Sequence, residues 1–440
     1  MITHTTPAIH RGRSTRTVPF PAPLLTVSAT ALATTFILIA TAPPAAAQDR
    51  PLAADFPEVY RAGGLNAPDW AQFAGRGPVS FDAAGNLHIL DSGNYTVVVI
   101  DPQGGFVRTV GRQGEGPGEF GFTFRLVVWR DGRLAVNDLQ NNAIHVFGAG
   151  GEFDHSVRVP SHVSLTSIRP DPSGGALYAR GSSSSTSPIR EALAELTGES
   201  PPEEGLDGFS IGRIDLTADA FAFGLVLQAW RVTREDRAEE VSADDILSDP
   251  SRIMSTALTS SQDRMFFEPT LRWDILPDGL IAYADSSAYA IKLVRPGGPV
   301  VDVIRRPVEP EAVTRRLRSA AIEREIGTLT RTFERIEGGM TDDVRERIEE
   351  REFYPEVSVI REIRSTWEGG LWIRRPGEEP WDTDGPIDVF GPDRQYVGTF
   401  TAGATTMPRA FGPDGLVAYW EVDELDVPTI VVKKLPSEVR

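Results

Sequence analysis

The sequence predicts an all-β protein built as a closed ring of repeated four-stranded units. Three observations carry that prediction. First, residues 79–110 hold four short apolar runs, at 79–81, 87–90, 96–100 and 106–110. They are cut by Asp82-Ala83-Ala84-Gly85-Asn86 and Asp101-Pro102-Gln103-Gly104-Gly105, the pattern of an antiparallel meander. Second, the first of these turns, with its flanking strand, recurs at 82–90, 130–138, 171–180, 277–285, 368–375 and 413–421, six copies in all. Third, Gly85 to Gly132 spans 47 residues and Gly370 to Gly415 spans 45, the length of one four-stranded propeller blade. The fold class is therefore a six-bladed β-propeller of four-stranded antiparallel blades.

In chain order, the first element is an export signal at 1–47. Arg11, Arg13 and Arg16 form a basic start, and residues 24–42 are uncharged and largely apolar. Pro43-Pro44 ends the run, and Ala45-Ala46-Ala47 before Gln48 supplies a small-residue cleavage site. About twenty apolar residues can also remain as a membrane anchor, but five threonines and one serine dilute this run. Cleavage is the expectation, leaving a mature chain, 48–440, in the periplasm or outside the cell. No later segment is apolar enough to span a membrane. The formal net charge of −18 becomes about −21 once three arginines leave with the signal. Such a chain is repelled by nucleic acid and by anionic membrane surfaces. Cysteine is absent, which excludes disulfides, zinc–thiolate sites and a lipid-bearing cysteine.

Blades are expected at about 79–110, 123–159, 165–230, 269–306, 357–400 and 407–435. The last copy supplies only three strands. Residues 57–63, which run into Gly63-Gly64, supply the missing outer strand, because pairing the first strand with the last blade removes two exposed edges. The segment 309–353 is helical. Val313, Leu317, Ala320, Ile326, Leu329, Phe333 and Ile336 recur at three- and four-residue steps. Pro310 precedes the helix and Gly338-Gly339 ends it. Thr341 caps a second short helix with Asp342 and Asp343 in its first turn. A hairpin packed on the propeller rim is expected, with a monomeric chain. An arm for a partner or a homodimer contact is the alternative.

The run 81–120 carries a resemblance. It has Leu90-Asp91, then Asn94, then Gly111-Arg112-Gln113-Gly114-Glu115-Gly116-Pro117-Gly118-Glu119-Phe120. It resembles the NHL-repeat six-bladed β-propellers, in their secreted or periplasmic bacterial branch. Phe266-Phe267-Glu268-Pro269 before Pro277-Asp278-Gly279, and Trp372-Ile373-Arg374-Arg375, extend the likeness. It covers 57–435, strongest in blades one and two and weakest in blade three. It implies the fold but not one function, since such propellers host binding modules and enzymes alike. Two enzyme types are implied as possibilities: a sugar-lactonase-like metal site and an amidating-lyase-like zinc site held by histidines.

Residues 116–121 formally fit G-x-G-x-x-G, but a strand follows where a dinucleotide site needs a helix. Glu115 and Glu119 would also repel phosphate. The stretch reads as a blade crossing in which Phe120 fills the gap between blades. The second strands end in Asp91, Asp138, Arg180, Asp285, Arg374 and Glu421, one charge per blade. With Asn94 and Asn141 they are the candidate ligand-binding set at the mouth of the channel. The arginines there can grip a carboxylate. The acids Asp91, Asp138 and Asp285 are the candidate oxygen ligands if calcium binds. The alternative role for each Asp is to accept backbone amides in its own loop. The mature chain has only His88, His145, His155 and His162, scattered and without H-x-H or H-E-x-x-H, which argues against zinc. No catalytic set is expected. The leading expectation is a cofactor-free binding or scaffold propeller that engages a protein, peptide or small ligand. The rival is a calcium-dependent lactonase-like hydrolase. Trp129, Trp273, Trp372 and Trp420 are read as core.

Overall fold

The computed structural model describes residues 49–160, 163–183, 208–217, 221–232, 264–333 and 342–440. The export signal and His162 lie outside the described residues. From Asp49 onward the chain forms six four-stranded antiparallel sheets. Blade one comprises Val79–Phe81, Leu87–Asp91, Thr96–Ile100 and Phe106–Val110; blade two comprises Thr123–Val128, Leu134–Asp138, Ala143–Phe147 and Phe153–Arg158. Blade three comprises Val163–Pro170, Ala176–Ser183, Ser210–Asp215 and Phe223–Gln228; blade four comprises Arg272–Ile275, Ile281–Ala284, Ala290–Val294 and Val300–Arg305. Blade five comprises Glu362–Ser365, Leu371–Arg374, Ile387–Phe390 and Tyr396–Phe400. Blade six takes Ala410–Phe411, Leu416–Val422 and Pro428–Lys434 from the end of the chain and Glu58–Gly63 from its start. That closing pair runs from Glu58↔Lys433 to Gly63↔Thr429, as the missing outer strand predicted.

The alternation of side chains along each strand builds the core. In blade one, Leu87, Ile89, Val98 and Ile100 face blade six, while Leu90, Val97 and Val99 face blade two. In blade four, Ile281 and Tyr283 face blade three, and Ala282 and Ala284 face blade five. The core is thus six apolar wedges, one per gap between blades. Strands buried on both faces read as unbroken apolar runs, which is why the sequence shows them without alternation. Phe120 is fully buried in the wedge between blades one and two, edge-on to Phe147. Gly111 makes room for it: a Cβ there would stand 2.3 Å from the Phe120 ring. Trp129, Trp273 and Trp372 are buried as expected, and Trp420 donates to the Gly77 carbonyl at 2.8 Å.

The second turns also repeat. In blades one, two, four and five the register slips at the same place, beside Ile100, Phe147, Val294 and Phe390. Each slip is a bulge that accommodates the left-handed residue of the turn. That residue is Gly104, Gly151 and Gly297 in three blades but Arg394 in blade five.

The insertion holds two helices, α1 (Arg315–Phe333) and α2 (Asp342–Glu350). Leu317 and Ala321 of α1, and Val344 and Ile348 of α2, are buried. Thr314 Oγ1 accepts the Leu317 amide at the start of α1. The 338–339 stop and Thr341 lie outside the described residues. The hairpin is tied to the ring by Phe353, stacked on Phe266 with centroids 4.8 Å apart. An Arg316–Glu379 ion pair adds a tie to blade five. A two-stranded ribbon, Glu311–Ala312 with Glu356–Val357, closes its base; the sequence did not suggest it.

Candidate functional site

In three blades the acid that ends the second strand holds the chain that has just crossed from the previous blade. Asp91 accepts the Ala74 amide at 3.2 Å, Asp138 accepts those of Gly121 and Phe122 at 2.6 and 3.0 Å, and Asp285 accepts that of Trp230 at 3.0 Å. Their remaining lone pairs are occupied too. Asn94 binds Asp91 and Asn141 binds Asp138. The Lys292 ammonium sits 2.7 Å from Asp285. All three acids are buried, at 3%, 0% and 3% exposure. They are inter-blade pins: each accepts at least one amide of the crossing chain, and own-loop amides also reach Asp138, from Gln140 and Asn141. Among the described residues no group of three or more His, Asp or Glu side chains gathers as metal ligands do. Glu421 lies at the edge of blade six, near Lys433 and Arg61. Arg180 falls inside its strand rather than at its end. Of the candidate set, only Arg180 and Arg374 line the channel.

The pins differ in their titration. Burial raises the Asp138 carboxyl, but the nearby His145 ring and the bonds from Gly121, Asn141 and Phe122 outweigh this and hold it below the ordinary carboxylate range. Its stabilising effect is therefore complete above about pH 4 and is lost as pH falls through the lower folded value. At Asp91 burial outweighs the bonds, and the carboxyl is raised. Its contribution has the opposite sign: it is present below the ordinary value and lost as pH rises through the raised one. Asp138→Asn should cost about 2–4 kcal/mol at pH 7, from several charge-assisted bonds, and Asp91→Asn should cost less. Urea unfolding of the two variants checks this. Equal losses would overturn the distinction.

The described histidines serve packing. His88 is fully buried 3.2 Å from Asp82, and His145 contacts Ser156 at 2.7 Å. His155 contacts the Leu216 carbonyl.

What the second strands do not supply, the first strands do. In a propeller the first strand of each blade borders the channel. Arg169, Asp274 and Arg364 stand two residues before the turn in blades three, four and five; Arg125, Arg272 and Glu362 stand four before it in blades two, four and five. One lobe of the cavity, about 680 Å³, is lined by Arg76, Arg125 and Arg409 with Phe122 and Phe124. A second, about 220 Å³, is lined by Arg180, Arg272, Arg361, Glu362 and Arg374. Arg169 and Arg364 line both. Nine arginines thus line the two lobes with one acid, Glu362, and a second acid, Asp274, meets Arg169 at their edge, within a strongly acidic chain.

Some of these charges are answered. Arg169 pairs with Asp274. Arg364 and Arg374 both pair with Glu362 at 3.1 Å. Burial raises the Glu362 carboxyl, but Arg364 and Arg374 outweigh it and keep it low. Arg125 donates to the Thr166 carbonyl and Arg180 to that of Leu271. Among the described residues, the side chains of Arg76, Arg272, Arg361 and Arg409 make no hydrogen bond or ion pair. Burial, then Arg361 and Arg180, push Arg272 down to about 10, still charged at neutral pH. Arg272 and Arg361 are half-buried while Arg76 and Arg409 are exposed to solvent, so the like charges of the first two are the ones that oppose folding.

The opposite mouth opens on a third cavity of about 370 Å³, and one contact spans it. Arg130 of blade two reaches the Trp367 carbonyl of blade five at 2.7 Å and lies 4.2 Å over its ring. Blades two and five face each other in a six-fold ring, so this contact crosses the channel. The arginine cluster was legible in principle. Residues 271–274 (L-R-W-D) and 361–364 (R-E-I-R) place charges on strands otherwise apolar, but that matters only once the first strand is known to border the channel.

Residues 80–167 match a family model described as a six-bladed β-propeller, DUF5128. No curated protein matches the chain. Among solved structures, a member of the DUF4221 family from Bacteroides vulgatus is similar at 9% identity and TM-score 0.48, over 86% of this chain and 98% of its own. Virginiamycin B lyase from Staphylococcus aureus is similar at 10% identity and TM-score 0.35, over 84% of this chain and 83% of its own. With six blades of four antiparallel strands in a ring, the chain is a six-bladed β-propeller.

Proposed function

We propose that this is an exported, non-catalytic propeller of the NHL-like type that binds an anionic ligand in the arginine-lined cavity. It acts in the periplasm or outside the cell, as a monomer. The observation that carries the reading is the set of four guanidinium groups, Arg76, Arg272, Arg361 and Arg409, that line the two lobes and make no hydrogen bond or ion pair among the described residues. Arginine forks suit carboxylate or phosphate, and the acidic exterior rejects polyanions that do not fit the cavity. A calcium-dependent lactonase is less well supported, because Asp91, Asp138 and Asp285 already serve amides and Lys292.

Thermal melting with citrate or phosphate at constant ionic strength tests the reading. A ligand at about 100 times its Kd stabilises by about 2.7 kcal/mol, so a clear rise in Tm is expected. Arg361→Glu should reduce that rise, since a charged hydrogen bond contributes about 1.5–3 kcal/mol. No response to either anion at tens of millimolar, with a response to calcium instead, would favour the lactonase reading.

A further inference from the structure

The two lobes of the cavity are separated by a neutralised strip. Arg169 and Arg364 line both lobes and are already engaged, with Asp274 and Glu362. On either side, each lobe keeps two guanidinium groups that make no hydrogen bond or ion pair among the described residues: Arg76 and Arg409, both exposed, in the larger, and Arg272 and Arg361, both half-buried, in the smaller. Building on the anion-binding reading above, we propose that the ligand is a bis-anion, with one carboxylate or phosphate group in each lobe and a linker crossing Arg169 and Arg364.

A single compact anion in one lobe leaves the like charges of the other opposed. Two anions joined by a linker answer both pairs, and the second contact forms at the high effective concentration set by the first. The larger lobe also suits an apolar linker. Phe122 and Phe124 are 54% and 44% exposed there, with rings stacked at 6.3 Å and 27°. The guanidinium of Arg125 sits 4.1 Å over Phe124, fixing its face. The Arg130–Trp367 contact spans the far mouth, and the two lobes lie on the other side of Arg169 and Arg364, so the linker crosses between the lobes.

The test is isothermal titration of the mature protein, at fixed ionic strength, with butyrate and with straight-chain dicarboxylates from malonate to sebacate. Dicarboxylates are expected to bind at least about tenfold more tightly than butyrate, with a maximum at one chain length. Arg272→Ala and Arg409→Ala should each bring the best dicarboxylate down to the butyrate level. Both variants should keep or raise the ligand-free Tm, because a like charge has been removed. Measurable butyrate binding with no gain for any dicarboxylate would overturn the two-lobe assignment and leave a single anion site. Absence of binding by all of these anions would overturn the anion-binding reading itself.

Discussion

Removal of Gln48–Gly63 from the mature chain is expected to abolish cooperative unfolding near physiological temperature. The deleted segment does two things. Its second half is the outer strand of blade six, and Tyr60 and Ala62 bury into the wedge against blade one. Without it, Pro428–Lys434 becomes an exposed edge. Its first half fastens blade five. Leu52 donates to the Thr399 carbonyl at 2.9 Å, and Thr399 donates to that of Arg50 at 2.7 Å. Phe56 packs edge-on against Phe400, with centroids 5.6 Å apart, and Asp49 pairs with Arg306 and Arg375. Each large apolar side chain contributes about 1.5–3 kcal/mol on burial. Two of them, with the ladder and the ion pairs, exceed about 5 kcal/mol, the lower end of a domain's whole stability. A permuted chain carrying 57–64 after Leu435 separates the two halves. It should recover cooperative melting, because the Lys434 amide already meets the Pro57 carbonyl at 2.9 Å. Unchanged melting of the simple deletion would refute ring closure by this strand.

Asp388→Ala is expected to cost about 3–5 kcal/mol, the range for removing one partner of a buried ion pair. Asp388 is fully buried, 2.7 Å from Arg306 and 3.3 Å from Arg375, and accepts the Thr399 hydroxyl at 2.6 Å. Arg306 is also buried, with its guanidinium 4.0 Å from the Tyr396 ring centroid. The network balances two cations, Arg306 and Arg375, with two anions, Asp49 and Asp388. Removing Asp388 alone leaves the buried Arg306 and the partly buried Arg375 sharing Asp49. Removing Arg306 as well leaves Arg375 with Asp49, one against one. The double variant Asp388→Ala/Arg306→Met should therefore be more stable than Asp388→Ala, a non-additivity that denaturant unfolding reads directly. A double variant whose loss equals the sum of the two singles would show that the charges act independently.

These two predictions differ in how they could be reached. Ring closure was visible from the sequence, because a blade with three strands at one end of the chain and a spare strand at the other have one economical solution. The Asp388 network was not, because Asp49 and Arg306 come from the start of the chain and the end of blade four, far in sequence from the blade-five hairpin that carries Arg375 and Asp388. The charged ends of the second strands show the same divide from the other side. Asp91, Asp138 and Asp285 were correctly placed at matching positions of their blades, yet a sequence does not reveal what a carboxylate accepts. The amides of Ala74, Gly121 and Trp230 reach them only because the crossing from the previous blade returns over the strand end.

The sequence by itself determined the ring. Turn residues, continuous apolar runs and a repeat near 45 residues are local properties, and a strand buried on both faces has few other ways to satisfy its apolar side chains. It also determined that Phe120 and its glycines form a crossing rather than a phosphate cradle, since a strand and not a helix follows. The tertiary structure alone decided which charges meet. Arg76, Arg125, Arg272, Arg361 and Arg409 lie on five different crossings and strands, and each looks like an isolated charge in its own stretch. Only closure of the six blades brings their side chains to one cavity, where electrostatic interaction depends on distance through space rather than along the chain.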